Sequence, residues 1–472
     1  MADANLARAA GEAFARLGDY DSLWFDGRWL RSGELHGRAA RIAAGLRQRG
    51  VEPGDRVVVQ MPNCPEVGIA YQAIWRAGAV VTPALFLLPP AELEHIASDS
   101  GAKVVLTTPE ECGELDQHDA VEIVPRDSSD PAALLYTGGT TGRSKGVLLS
   151  HENLWFAGKS GHDSGDIPGL VRGLNALPLA HSYGLLVTVV GLHAVEQTQA
   201  VLMRWFDPEL FLQLAQEHRT QITAVVPSML QLLLAEPLED YDLSELRYVV
   251  SGGAPLPGDV ADELLRRLPN VELREGYGLT ETTALVSSTP PGESRLGSVG
   301  KPAPGVEVRI DGDEEVGEIC VRSRSVMLGY WQAPELTAQT IVDGWLHTGD
   351  LGYLDEDGYL YVVDRKKDLI IRGGFSVFPR DVEDALLEHP AVAAAGVVGR
   401  PDGVHGEEVV AFVELRPGQE SEAEELVIWS KEHIGGYKYP REVRVVRSLP
   451  LTLVGKVDRK ALRAKVLEEA PA

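Results

Sequence analysis

Cysteine is scarce in this chain: three in 472 residues, Cys64, Cys112 and Cys320, with no C-x-x-C pair among them. That excludes a disulfide framework and a paired-thiol zinc site, and makes a reducing compartment, the cytoplasm, the expected setting. Each thiol is expected to pack as a small buried hydrophobe. Basic residues are outnumbered, 44 Lys and Arg against 70 Asp and Glu, for a formal charge of −26. So acidic a chain is a poor match for a nucleic-acid backbone or an anionic membrane, and no nucleic-acid partner is expected. Long apolar runs are absent too. The longest, near Ala77–Pro90 and Tyr183–Val195, stop short of the roughly 20 residues a bilayer span needs, and the second contains His193. The opening Met-Ala-Asp-Ala-Asn lacks the basic and then apolar pattern of a signal peptide.

What is present is an ordinary globular composition, 44% hydrophobic and 24% charged, with enough apolar material for a sizeable core. At about 150 residues per domain, the length suggests about three units, or one large α/β unit and a smaller one. Helical periodicity and short buried strands alternate from Arg38 onward. Arg56–Gln60, Ala79–Pro83 and Lys103–Leu106 read as strands, with helices over Glu66–Gly78 and Ala91–Ser100. The alternation recurs from Pro208 to Val250, with strands at Ile222–Val226 and Leu246–Val250. Such spacing predicts βαβ units and parallel sheets. From Gly297 the pattern changes to period two, with Asp311-Gly312 and Asp357-Gly358 as turn signals, which reads as an antiparallel β region. After the basic cluster Arg365-Lys366-Lys367 comes a separate α+β pattern. The expected architecture is therefore α/β: a large N-terminal domain, 1–364, and a small C-terminal domain, 365–472.

The segment richest in chemistry follows an apolar strand: Thr137-Gly138-Gly139-Thr140-Thr141-Gly142-Arg143-Ser144-Lys145-Gly146. Glycines let backbone N–H groups wrap an anion, threonine hydroxyls add donors, and Lys145 adds charge. Together they describe a polyphosphate cradle. It is not a Walker A loop, because Ser144 precedes the lysine and Gly146 follows it.

This segment resembles the phosphate loop of the adenylate-forming superfamily, which includes acyl-CoA synthetases, nonribosomal adenylation domains and firefly luciferase. Further motifs follow in that family's order over nearly the whole chain. Ser251-Gly252-Gly253-Ala254-Pro255 resembles the loop lining the adenine site. Glu275-Gly276-Tyr277-Gly278-Leu279-Thr280-Glu281 resembles YGxTE, and Gly344-Trp345-Leu346-His347-Thr348-Gly349-Asp350 resembles GW-x-x-TGD. Asp364-Arg365-Lys366-Lys367-Asp368 resembles the hinge, and the stretch around Lys456 the C-terminal lysine motif. Leu177-Pro178-Leu179-Ala180-His181-Ser182-Tyr183-Gly184 resembles the acid-side motif LPxxHxxG.

The resemblance implies ATP, Mg²⁺ and coenzyme A. Tyr277 would stack on adenine, with the backbone of Glu275 and Gly276 at its edge. Thr280 would donate to the α-phosphate, and Glu281 would hold Mg²⁺, which prefers hard carboxylate oxygens. Asp350 and Arg365 would bind the ribose, and Lys456 the carboxylate and α-phosphate oxygens. Lys367 would be the hinge of a mobile C-terminal domain. Gly373, Gly374 and Phe375 would then help to form the thiol channel. His181, Ser182 and Gly184 would lie at the acid.

The implied reaction is activation of a small-molecule carboxylic acid to acyl-AMP, then transfer to the thiol of CoA, with a fatty acid as the expected substrate. A stand-alone adenylation enzyme loading a fatty or aryl acid onto an acyl or peptidyl carrier protein is the alternative. No acidic residue lies between Leu177 and Ala194, which disfavours an α-amino acid. The chain departs from the family pattern at Gly138, often Ser, at Ser144, often Pro, at Ser376, often Asn or Gln, and at Ile371, where some members carry a lysine.

Overall fold

The computed structural model describes residues 5–137, 144–165, 167–312, 315–452 and 456–468. The chain forms two compact units: 1–309, 320–347 and 355–360 in one, and 310–319, 348–354 and 361–472 in the other. Among the described residues, no helix is long and apolar enough to cross a membrane.

The large unit is built on two sheets. In one, strands Arg56–Val59, Val80–Pro83, Val104–Leu106 and Pro131–Thr137 are parallel neighbours. Their apolar runs suit burial on both faces, and Val57, Val58 and Val59 are all shut off from solvent. Helix Pro65–Arg76 connects two of them. Proline at its start sacrifices no helical hydrogen bond, because first-turn N–H groups have no helical acceptor, and Glu66 and Arg76 stand at the ends that favour their charges. Its Trp75 is fully buried, and the indole N–H donates to the Ala132 carbonyl at 2.9 Å.

The second sheet holds Arg172–Asn175, Gln199–Leu202, Ile222–Val225, Tyr248–Gly252 and Glu272–Tyr277 in parallel. The strand expected at Leu246–Val250 starts two residues later, because Leu246 is buried in the preceding turn instead. Near the chain start, Asp21–Phe25 and Arg28–Arg31 form a hairpin through Asp26 and Gly27, both at positive φ. That hairpin adds to the same sheet, Leu23 beside Ala200 and Trp24 beside Val201.

In the small unit, Val392–Asp402 and Gly406–Leu415 pair antiparallel, with Glu442–Val446 parallel to the second. Alternation sends Val409, Ala411 and Val413 into one apolar cluster with Val382, Leu386 and Leu426, while Val410 and Phe412 join Leu462 and Val466 in another.

All three cysteines are buried, as expected, and burial pushes the Cys64 and Cys112 thiols up to about 12. His151 is also fully buried, and its Nδ1 accepts from the Leu6 N–H at 3.3 Å. Burial, with Arg126 adding to it, pushes the imidazole down to about 4. The unfolded chain therefore binds a proton that the folded chain refuses between pH 6.5 and 4. His151 alone should therefore take away about 3 kcal/mol of stability as pH drops through that window. Urea unfolding against pH checks this, and His151→Asn, which keeps an acceptor at the Nδ1 position, should flatten the dependence.

Candidate active site

Thr137 and Lys145 face each other as register partners on the antiparallel strands Pro131–Thr137 and Lys145–Ser150. They stand at the two ends of the described chain on either side of the glycine–threonine segment. Gly138, Gly139, Thr140, Thr141 and Gly142 themselves lie outside the described residues. Ser144, one of the departures from the family pattern, donates through its hydroxyl to Glu92. Strand Gly329–Tyr330 lies along the other side of Lys145–Ser150, with Tyr330 opposite Val147. Lys145 Nζ stands 6.0 Å from the Tyr330 ring centroid. The Tyr330 hydroxyl donates to Glu281 Oε1 at 2.9 Å. Burial, then the Glu281 charge, raises the phenol well above its ordinary range, so it remains a donor at neutral pH. Tyr330 thus links the lysine at the hairpin stem to the acid of the YGxTE segment. It belongs to none of the sequence motifs, and nothing local marks it.

Glu281 sits in a 3₁₀ turn, Thr280–Thr282, just past strand Glu272–Tyr277. Thr283 and Ala284 follow at φ of 54° and 66°, a left-handed conformation that costs non-glycine residues about 1 kcal/mol or more each. The Thr283 hydroxyl donates to the Ser325 carbonyl at 2.7 Å and holds the turn. A Cβ on Gly278 would meet the Ala284 carbonyl oxygen at 2.2 Å, so only glycine fits there. Glu275 is buried, and its carboxylate accepts from the Gly297 N–H at 3.0 Å. Gly276 and Tyr277 pair with Ser288 and Ser287. Gly253, Ala254 and Pro255 follow the neighbouring strand Tyr248–Gly252, whose Ser251 is the register partner of Glu275. These loops leave the carboxyl ends of adjacent parallel strands, the edge at which α/β sheets bind ligands.

His181, Ser182 and Gly184 open helix Ser182–Val190, with His181 Nδ1 accepting from the Tyr183 N–H at 3.3 Å. A Cβ on Gly184 would lie 2.2 Å from the Pro178 carbonyl oxygen, so close packing explains that glycine. Burial pushes the Tyr183 phenol up to about 12.

In the small unit, Asp350 is buried and its Oδ1 lies 3.1 Å from Arg365 Nε. Lys456 is half-buried in the same electrostatic neighbourhood. Burial and the Arg365 charge lower its ammonium below the ordinary lysine range, and Asp350 partly opposes them. A backbone bracket steadies it: Thr452 N–H donates to the Lys456 carbonyl at 2.7 Å, and Lys456 N–H to Thr452 Oγ1 at 3.1 Å. Lys367 is exposed, and its carbonyl accepts from Arg463 at 3.3 Å. Gly373 and Gly374 form the turn between strands Ile370–Arg372 and Phe375–Val377, at φ of 60° and 83°. Gly373 N–H donates to the His405 carbonyl at 2.7 Å. Phe375 is exposed, its ring 5.0 Å from that of Tyr437.

The sequence profile described as AMP-binding enzyme matches residues 11–331, and that of the AMP-binding enzyme C-terminal domain matches 381–456. The chain is 37% identical to a feruloyl-CoA synthase of Amycolatopsis sp, over 93% of this chain and 94% of that one. It is 32% identical to a long-chain-fatty-acid–CoA ligase of Bacillus subtilis, over 97% and 93%. Among solved structures it resembles ATP-bound MatB from Rhodopseudomonas palustris, with a TM-score of 0.89 and 31% identity over 97% of this chain and 98% of that one. It also resembles the Bacillus subtilis o-succinylbenzoate CoA synthetase with ATP and magnesium, with a TM-score of 0.86 and 30% identity over 97% and 99%.

Proposed function

The chain belongs to the AMP-binding enzyme family, within the adenylate-forming superfamily that its motifs resemble, and from that premise we propose how its residues share the work of an AMP-forming acid–CoA ligase. The substrates are ATP, a carboxylic acid and coenzyme A. A carboxylate is a poor acyl donor because oxide would have to leave; coupling it to AMP supplies a stable leaving group. The acid's oxygen attacks the α-phosphorus, and pyrophosphate departs. The thiol then attacks the acyl carbon, and AMP departs.

The first step must bring two anions together, so its barrier is mainly electrostatic. Lys145 and the glycine–threonine segment before it would hold the outgoing phosphates. Glu281 would hold a Mg²⁺ ion: its Oε1 takes the Tyr330 hydroxyl, and its other oxygen is of the hard kind that such a cation prefers. When bound, that ion would neutralise phosphate charge. Thr280 would donate to the α-phosphate. Tyr277 would stack on adenine, beside Gly253, Ala254 and Pro255. Asp350 and Arg365 would hold the ribose, and Lys456 would draw carboxylate and α-phosphate together. The observation that carries this reading is the Lys145–Tyr330–Glu281 cluster at the hairpin stem.

We propose further that the small domain, 365–472, turns about Lys367 between the two steps, so that Gly373, Gly374 and Phe375 take over from Lys456 as the thiol enters. Compactness and mobility need not divide at the same residue: 348–354 and 361–364 group with the small unit by contact.

The acid is proposed to be apolar. Tyr183, Val190 and Leu285 would form its wall, and a Cβ on Gly161 would come 3.1 Å from Val190 Cγ2, so close packing favours glycine there. Relatives at 37% identity are named for an aryl acid, and fatty-acid ligases stand at 32 to 34%. An aryl acid therefore comes first and a fatty acid second. ATP–pyrophosphate exchange across hydroxycinnamic, benzoic and fatty acids tests this. Exchange with hydroxycinnamates at least tenfold above the rest is expected; exchange with none of the panel would overturn the reading. Offering CoA and a carrier protein together, with mass spectrometry of the product, should place the acyl group on CoA.

A further inference from the structure

The reaction above uses Lys145 and Glu281 but leaves Tyr330, which joins them, without a task. Its place is tightly fixed. Leu328 N–H donates to the Leu148 carbonyl at 2.9 Å and Trp331 N–H to the Gly146 carbonyl at 2.7 Å, so strand Gly329–Tyr330 is tied at both ends to strand Lys145–Ser150. Tyr330 N–H donates to Thr337 Oγ1 at 2.9 Å, and the Trp331 indole N–H to the Asp99 carbonyl at 3.0 Å. The same stretch holds Glu281, because Met327 N–H donates to the Glu281 carbonyl at 2.8 Å. The backbone of the acid and the phenol that meets its carboxylate are thus anchored on one segment, 327–331. A phenol can only donate to an ionised carboxylate. Its bond of 2.9 Å therefore commits Glu281 Oε1 and orients the group. Among the described residues no other side chain is hydrogen-bonded to that carboxylate, and none is ion-paired with it. One oxygen is taken and the second is left for a cation. That division matters because hard cations ask different things of a carboxylate. Mg²⁺ demands near-octahedral geometry, which one oxygen of a carboxylate suits; Ca²⁺ is larger, takes more ligands and accepts a carboxylate through one oxygen or both.

We propose that Tyr330 is a positioning residue that makes the site selective for Mg²⁺ over Ca²⁺, by keeping Glu281 a one-oxygen ligand; this rests on the reading in which Glu281 holds the ion that accompanies ATP. With Oε1 held by the phenol, a calcium ion finds one oxygen where it could use two. Without the hydroxyl the carboxylate is free to turn and offer both, which favours Ca²⁺, while Mg²⁺ loses an oriented ligand.

Calorimetric titration of the full chain with α,β-methylene-ATP, which cannot release pyrophosphate, compares affinity in excess Mg²⁺ with affinity in excess Ca²⁺. Wild-type protein should bind the Mg²⁺ complex the more tightly, and Tyr330→Phe should narrow that ratio by about fivefold or more. In a Glu281→Gln background Tyr330→Phe should no longer move the ratio, because it acts through that carboxylate. A merely structural role would weaken both complexes alike. Equal loss of both, or an unchanged ratio in Tyr330→Phe, would overturn the proposal. Should Tyr330→Phe fail to fold, crystals of wild-type protein grown with Ca²⁺ and the analogue decide. Glu281 should meet the ion through one oxygen with Oε1 still on the phenol, and a two-oxygen Glu281 would overturn the assignment. Wild-type affinity indifferent to both metals would instead bring down the underlying reading, and the proposal with it.

Discussion

Replacing Lys456 with alanine should slow acyl-adenylate formation by about a hundredfold to a thousandfold, the usual loss when a group stabilising transition-state charge is removed. Thioester formation from supplied acyl-adenylate should change only a few-fold, because Lys456 is proposed to leave before the thiol arrives. Rapid-quench measurement of the two half-reactions decides, and equal loss in both would sink the division of labour. A pH signature follows. Burial and Arg365 hold the Lys456 ammonium below its ordinary range. Its charged form is the one adenylation needs, so that step should fail as pH rises through the lowered value, below about 10.4. The thioester step should lack this alkaline limb, and so should residual adenylation by Lys456→Ala.

The second large effect concerns stability. Arg459 lies three residues beyond Lys456 and meets three acids. Its Nη2 is 2.7 Å from Glu383 Oε2, and its Nη1 is 3.5 Å from Asp364 and 3.6 Å from Asp368. Val397 N–H also donates to Glu383, at 2.8 Å. Replacing Arg459 with methionine would leave buried carboxylates facing one another, which costs about 3–5 kcal/mol. Burial already holds Glu383 and Asp364 above the ordinary carboxylate range, and Arg459 opposes that rise. Without the guanidinium their pKa values climb further. The deficit should therefore be largest above neutral pH and shrink on acidification, as the carboxyls take up protons. Urea unfolding at pH 8 and pH 5 measures this. Adding Glu383→Met should restore much of the loss, since matched apolar groups can replace a buried ion pair. A deficit independent of pH would rule out the electrostatic account.

Strands of the large unit are legible because their runs of valine suit burial on both faces, and the intervening helices carry a clear period. The YGxTE turn is legible because glycine and threonine crowding has few other uses. Tyr330 is not. It arrives through a two-residue strand whose partner lies far away in sequence, and no local pattern encodes that pairing. The Arg459 lock is half legible: Asp364 and Asp368 lie in the recognised hinge segment and the arginine lies three residues beyond Lys456, but no local pattern brings them and Glu383 together. Glu275 sits inside a motif while its carboxylate tethers Gly297, a role visible only once the chain has folded. The opening hairpin carries the same kind of turn signal as Asp311-Gly312, in Asp26-Gly27, but lies ahead of the alternation that begins near Arg38.

That hairpin has a consequence for biosynthesis. On the side away from their hairpin partner, Leu23 and Trp24 pair with Ala200 and Val201. As the polypeptide leaves the ribosome, the first strand pair must wait, with one edge open, until residues 199–202 emerge and dock. Pairing across so long a separation is slow, and an exposed edge invites aggregation. Chaperone dependence during expression should therefore centre on this first segment, and slowing translation before residue 199 should lengthen its exposure.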